Sequence, residues 1–382
     1  MRGGSEAAGE VSVGDLLGRK AVNLSTPELQ RFLAGKRVMV TGAGGSIGSE
    51  ICRQAARFNP GRLVLVERAE GLLFEVDREL RQRWLGLEIS PVVADVGDAR
   101  RVDRVFAEFK PQVVFHCAAH KHVPLMEENP GEAVKNNVLG TKVVADAALK
   151  HGAAGFVMVS TDKAVNPTSV MGASKRCAEL YVQHLNETVG EASGSGTRFV
   201  AVRFGNVLGS SGSVVPIFRR QIEQGGPVTV THEEMRRYFM TIPEASQLVM
   251  QAGAIGKGGE IFVLDMGEPV RIVDLAREMI RRSGLREGRD IEIRFTGMRP
   301  GEKLFEELAL PTEEVVATSH AKIRVWQLPR MGPAAVRAMV SELGAVVEAP
   351  RGAVVETLCR WVPEFTPDGV KPGGVREMRL VA

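Results

Sequence analysis

The chain has 382 residues, 44% of them hydrophobic and 25% charged, which is ample apolar material for a large core and the composition of an ordinary globular protein. Its formal charge of +3 comes from 49 basic and 46 acidic residues mixed along the sequence, so no concentrated basic face argues for nucleic acid or an anionic membrane. The cysteines, Cys52, Cys117, Cys177 and Cys359, lie far apart, against a disulfide framework or a thiolate zinc site. No apolar run reaches the ~20 residues of a membrane-spanning helix, and the first residues lack the apolar core of a secretory signal, so the expectation is a soluble cytoplasmic chain with reduced thiols.

Residues 1–35 form a polar, Gly/Ala-rich extension with one short helix-like stretch, Thr26 to Ala34. From Lys36 short β-branched runs alternate with longer amphipathic segments: 37–40, 62–66, 90–94, 112–117, 155–160 and 198–204. Continuous apolar runs of this kind belong to strands buried on both faces, and their alternation with helices predicts a parallel sheet covered on each side. Right-handed crossovers make it doubly wound. Apolar residues at helical spacing over 171–187 place Lys175 on the helix after the fifth strand. The Gly-rich stretch 187–197 reads as a flexible loop. Beyond 206 the rhythm loosens into loops, helices at 243–255 and 272–283, and isolated strands at 260–265 and 290–295. The expected organisation is therefore an α/β doubly wound sheet over 36–205, a smaller C-terminal α/β lobe over 206–330 covering the carboxyl ends of the strands, and a C-terminal extension, 331–382.

The first strand runs into Thr41-Gly42-Ala43-Gly44-Gly45-Ser46-Ile47-Gly48, with glycines at 42, 45 and 48 and a helix opening near Ser46. Such a turn lets backbone amides and a helix N-terminus reach a pyrophosphate. Glu67 stands 19 residues beyond Gly48, at the end of the second strand, where a carboxylate accepts from ribose hydroxyls and repels a 2′-phosphate; NAD is favoured, although Arg68 keeps NADP open. Asp95-Val96 and Ala118-Ala119 follow the third and fourth strands, where the rest of a dinucleotide would pass.

Many hydride-transfer proteins of this architecture use a Tyr separated by three residues from a Lys that lowers the phenol's pKa. Here the residue in that relation to Lys175 is Met171, and neither Tyr181 nor Tyr238 has such a lysine. Upstream, Ser160-Thr161-Asp162-Lys163 puts a carboxyl and an ammonium at the carboxyl end of the fifth strand. A solvated turn is the ordinary reading of an isolated Asp-Lys; at the mouth of a dinucleotide site an acid–base pair is the better one.

Together these segments resemble the UDP-N-acetylglucosamine 4,6-dehydratases of bacterial polysaccharide biosynthesis, extended short-chain dehydrogenases/reductases with a Rossmann sheet. The resemblance rests on residues 41–48, 118–127, 160–168, 203–210 and 299–304, and covers about residues 12 to 325. It implies transient oxidation of the sugar at carbon 4, loss of water across carbons 5 and 6, and return of hydride to carbon 6. By position, Asp162 would protonate the departing hydroxyl, Lys163 would take the carbon 5 proton, and Lys175 would bind the nicotinamide ribose. Smaller members carry Tyr at the place of Met171; the larger, membrane-attached members have Met there, as here. The 4-hydroxyl proton is then left to Ser160 or Thr161 in a relay, to Lys163 or to water.

The resemblance also gives Asn206, Arg237, Arg299 and Glu302 to the UDP moiety and Lys121 and His122 to the loop beside the sugar. His120 and His122 without a nearby third ligand make a poor metal site. Residues 13–20 resemble the segment that joins the membrane helices of the larger members to their catalytic part, so the chain is either the soluble part of a longer inner-membrane protein or a relative without that anchor. A homo-oligomer is expected. Two other readings stand beside this one: a UDP-sugar 4-epimerase, against which Met171 and the Asp162–Lys163 pair argue, and a non-catalytic dinucleotide-binding sensor or scaffold, against which the retained sugar-site motifs argue.

Overall fold

The computed structural model describes residues 26–192, 196–308, 315–326 and 330–367. The segment 13–20 lies outside them. Strands β1 (Arg37–Thr41), β2 (Arg62–Glu67), β3 (Ile89–Val93), β4 (Val113–His116), β5 (Gly155–Val159) and β6 (Arg198–Arg203) fall within a residue or so of the runs read from sequence. They are parallel, in the spatial order β3-β2-β1-β4-β5-β6. Successive side chains of β1 explain why the apolar runs are continuous: Val38 and Val40 enter one core, Met39 the other, and all three are fully buried. Phe115 and Val114, or Val157 and Phe156, divide in the same way. The chain therefore folds as a doubly wound, Rossmann-like α/β sheet with helices on both faces.

Two expectations are corrected. The run 260–265 is not an isolated strand of the lobe: Ile261–Leu264 pairs parallel with β6 and extends the main sheet, because Ile261, Phe262 and Leu264 are apolar on both faces and are buried there. Ile323–Trp326 then pairs antiparallel with it. The stretch 187–197 is not all loop, since the helix Val170–Ala192 continues past Leu185. Asn186 lies on that continuation and accepts from the Phe199 amide at 3.1 Å, and Thr188 Oγ1 donates to the Leu185 carbonyl, so the extra turn is held. Residues 193–195 lie outside the described residues.

The lobe has its own core, in which Val215 and Phe218 of helix Val214–Glu223 meet Ile272, Ala276 and Ile280 of helix Ile272–Arg282 and Val228 and Val230 of a short strand. Leu29, Phe32 and Leu33 of the early helix Pro27–Leu33 are buried in the main core. Two helices of the C-terminal extension, Pro333–Ala345 and Arg351–Trp361, bury Val336, Met339, Leu343, Val354 and Leu358 against the other face.

Candidate active site

A cleft of about 670 Å³ runs between the carboxyl ends of the strands and the lobe. One end is the glycine turn. Gly42 has a φ of +66°, and a Cβ there would stand 2.7 Å from the Ala118 amide nitrogen; one on Gly48 would stand 2.0 Å from the Gly42 carbonyl oxygen. Only glycine allows strand, turn and helix Ser46–Ala56 to approach so closely, and no side chain caps that helix, so its first amides face the cleft. Gly45, Ser46 and Ile47 line the cleft here, and Ser46 Oγ accepts from the Ser211 amide of the lobe at 3.2 Å.

Glu67 is not among the residues that line the cleft. Its carboxylate accepts from the Gly44 amide at 3.1 Å and from the Arg68 and Ala69 amides at 2.9 and 3.0 Å, tying the glycine turn to the end of β2. Arg68 lies 3.8 Å from Asp95, both about half exposed, and Asp95 also accepts from the Gly97 amide. Val96 is buried. Arg68, Asp95 and Val96 flank the turn without lining the cleft, whereas Ala119 lines it and Ala118 backs Gly42.

At the centre, the segment after β5 meets the start of helix Val170–Ala192. Ser169 Oγ accepts from the Gly172 amide at 3.1 Å, which caps the helix, and the buried Glu127 carboxylate accepts from the Val170 amide at 2.7 Å. A Cβ on Gly172 would lie 2.1 Å from the Lys163 carbonyl oxygen, so this glycine lets the Asp162-Lys163 turn rest on the helix. Met171 is buried in the cleft wall, one turn before Lys175. Lys175 is 3% exposed and its Nζ has no hydrogen-bond partner among the described residues. Burial, partly offset by Glu179, lowers its pKa to about 8. Beneath it, burial and then Lys175 lower His116 to about 3, so its ring is neutral between Thr41 and Thr141.

Asp162 and Lys163 are bonded to each other, Nζ to Oδ1 at 3.0 Å. Thr161 Oγ1 donates to the same oxygen at 3.0 Å, and the other oxygen of Asp162 is buried without a partner. Burial raises the Asp162 pKa, only partly offset by Lys163. Lys163 also reaches Asn206 Oδ1 at 3.2 Å and Glu306 Oε1 at 3.3 Å; burial alone would lower its pKa, but the two carboxylates outweigh it and raise it. Ser160 is turned the other way. Its Oγ donates to Glu179 at 2.6 Å, a buried carboxylate bound by Arg203 at 2.7 and 2.5 Å. Although burial pushes the Glu179 pKa upward, Arg203 and Arg176 hold it down overall.

The lobe supplies the far wall. Arg237 is buried, donates to the carbonyls of Arg236, Lys303 and Leu304, and lies 3.6 Å from Glu306. Arg299 and Glu302 pair with each other at the rim. The 299–307 segment is fastened to the stretch that follows Asp162-Lys163 by Lys303 Nζ on the Val165 carbonyl and Thr168 Oγ1 on the Gly301 carbonyl. Lys121 donates to Ser210 at 3.3 Å, and burial lowers its pKa; burial, then Lys121 and His120, lower that of His122. The cleft thus gathers Lys121, His122, Ser160, Thr161, Lys163, Met171, Lys175, Asn206, Arg237, Arg299 and Glu302, with Asp162 just beneath. Neither Tyr181 nor Tyr238 lines it. Sequence reading missed Glu306, two residues past the 299–304 motif, and Glu127, whose role depends on contacts remote in the chain.

A doubly wound α/β protein with a glycine turn at its first strand, and a lobe closing an acid–base cluster over the strand ends, is the class that this fold and site define. The model for the family described as "Polysaccharide biosynthesis protein" matches residues 38–328. The capsular polysaccharide biosynthesis protein CapD of Staphylococcus aureus is 59% identical over 78% of this chain and 49% of its own length, so the chain spans about half of that relative. A UDP-N-acetylglucosamine 4,6-dehydratase (inverting) of Campylobacter jejuni is 31% identical over 71% of this chain and 77% of that protein. A UDP-glucose 4-epimerase of Rickettsia canadensis is 34% identical over 72% and 77%. Among solved structures, Pen from Bacillus thuringiensis is 34% identical, with a TM-score of 0.71, covering 78% of this chain and 89% of that one. The NAD complex of the Thermus thermophilus UDP-glucose 4-epimerase, 24% identical with a TM-score of 0.60 over 72% and 90%, has the same fold. The chain belongs to the polysaccharide biosynthesis protein family. Among the described residues no helix is long and apolar enough to cross a membrane.

Proposed function

We propose that the chain is a nicotinamide-dinucleotide-dependent 4,6-dehydratase of a UDP-linked N-acetylhexosamine, UDP-N-acetylglucosamine being the first choice. The observation that carries the reading is the Asp162–Lys163 pair, 3.0 Å apart, with Asp162 buried and Lys163 open to a cleft that has a glycine turn at one end. Elimination beside a ketone needs a base for the carbon acid and an acid for the leaving hydroxyl, and an epimerisation needs neither at carbon 5.

The residues present fit a dinucleotide: Gly42 and Gly48 let the turn close so that the uncapped helix start at Ser46 and Ile47 faces the cleft, and Lys175 Nζ, with no partner among the described residues, calls for an acceptor such as a ribose hydroxyl. NAD is favoured, since the fixed Glu67 carboxylate is a poor neighbour for a 2′-phosphate and Arg68 faces Asp95. A dinucleotide held at the glycine turn and by Lys175 would supply a hydride acceptor for carbon 4 and a donor for carbon 6. The chain's part is to handle protons. Moving one proton along the 3.0 Å bond from Lys163 to Asp162 turns an ion pair into a carboxylic acid and an amine, and a substrate that dries the cleft favours that neutral pair. Lys163 then removes the carbon 5 proton and Asp162 protonates the departing 6-hydroxyl. Of the two nearby hydroxyls, Ser160 is committed to Glu179, whereas Thr161 is linked to this pair and relays the 4-hydroxyl proton outward to water; Lys163 returns a proton to carbon 5 as hydride reaches carbon 6 and regains its own from water. Arg299 and Glu302 hold the UDP end by exchanging their mutual bond for diphosphate and ribose.

The relative named as a UDP-glucose 4-epimerase supports a second reading, epimerisation at carbon 4. Incubating the purified chain with UDP-N-acetylglucosamine and catalytic NAD⁺ separates the two by mass. Loss of one water, abolished in Lys163→Ala and Asp162→Asn, supports dehydration; an unchanged mass with a changed sugar supports epimerisation.

A further inference from the structure

We propose that Glu306 is the positioning residue of Lys163: it fixes the direction of the lysine's nitrogen and sets how readily that nitrogen gives up its proton. The inference rests on the reading of Asp162 and Lys163 as the acid–base pair. Glu306 arrives from the lobe, beyond the 299–304 motif, and is 7% exposed. Its Oε1 lies 3.3 Å from Lys163 Nζ and 3.6 Å from Arg237 Nε, and its Oε2 is buried without a partner.

Three acceptors surround Lys163 Nζ: Asp162 Oδ1 at 3.0 Å, Asn206 Oδ1 at 3.2 Å and Glu306 Oε1 at 3.3 Å. An ammonium has three N–H bonds and satisfies all of them. A neutral amine has two. After the proton passes to Asp162, Glu306 and Asn206 take both remaining N–H bonds, so the nitrogen cannot turn away from the Asp162 side. The charged groups around Lys163 are Asp162 on its own turn, Glu306 and Arg237 from the lobe; Lys303 acts on Glu306. Burial pushes the Glu306 pKa up, but Lys163 first, then Arg237 and Lys303, hold it down overall, so Glu306 is an anion that orients the lysine while Asp162 exchanges the proton.

Competitive labelling with acetic anhydride across the alkaline range, read by peptide mass spectrometry, gives the titration midpoint of Lys163 without any substrate. Glu306→Gln is expected to lower that midpoint by on the order of one pH unit, since an anion at ion-pair distance is lost. In the water-loss assay the alkaline limb, where kcat falls as the Asp162–Lys163 pair loses its shared proton, moves down with it, while KM changes little. Glu306→Asp keeps the anion but draws it back, and lowers the midpoint by less than Glu306→Gln. A folded Glu306→Gln with an unmoved midpoint overturns the proposal. If circular dichroism shows that variant unfolded, Glu306→Asp decides: a lowered midpoint supports the role and an unmoved one overturns it. A lowered midpoint in a protein that removes no water from UDP-N-acetylglucosamine would leave Glu306 as the holder of Lys163 and sink the dehydratase reading instead.

Discussion

Lys175 carries the largest conflict between stability and function in the cleft. Its side chain is 3% exposed and unpartnered, with a pKa of about 8 against an ordinary 10.5. Below pH 8 folded and unfolded chains both hold the proton, and the folded chain bears the full cost of a buried ammonium. Between about 8 and 10.5 only the unfolded chain binds it, so stability rises with pH across that window. Lys175→Met is therefore expected to stabilise the free protein at neutral pH by up to about 3 kcal/mol and to flatten the rise between those values, in urea unfolding at several pH values. If the proposed reaction is right, the same change is expected to abolish water loss in the mass assay. Lys175 and the Asp162-Lys163 dipeptide were legible because their positions follow from the strand and helix that precede them. Glu306 was not: nothing local says that a residue two beyond a motif will cross a cleft to the fifth strand.

The six strands β1 to β6 were readable because each is buried on both faces, a condition that writes an unbroken apolar run into the sequence. Element ends and partners are decided by contacts remote in the chain, which is why the run 260–265 was read as an isolated strand of the lobe and the helix after Lys175 was stopped too early. Two glycines separate binding from chemistry at this scale. Gly48→Ala puts a methyl 2.0 Å from the Gly42 carbonyl, so the helix must shift: a loss of about 2 kcal/mol in thermal unfolding and a weakened fluorescence titration with NADH are expected. Gly172→Ala puts one 2.1 Å from the Lys163 carbonyl. It is expected to cut the rate of water loss at least about tenfold, a barrier rise of ~1.4 kcal/mol, while NADH binding stays close to wild type.

The lobe and the C-terminal helices fasten the same catalytic turn from two directions. Lys303 and Thr168 bind it to the lobe, and Arg351 reaches the Glu127 carboxylate at 3.0 Å while Glu127 caps the helix of Met171 and Lys175. Arg176 meets Glu364 at 3.1 Å, and the Thr366 amide donates to the Pro167 carbonyl. None of this was legible in residues 331–382, whose helices carry no motif and gain their meaning from the surface they cover. Arg351→Ala leaves a buried carboxylate with one partner fewer and should cost on the order of 1–2 kcal/mol in chemical denaturation. The central claim, elimination across carbons 5 and 6, is tested most directly by the reaction of UDP-N-acetylglucosamine with the chain and NAD⁺ in deuterated water, followed by mass spectrometry and proton NMR. The account predicts a product lighter by one water that carries a single solvent deuteron at carbon 5; a sugar nucleotide of unchanged mass, with no deuterium on carbon, would contradict it.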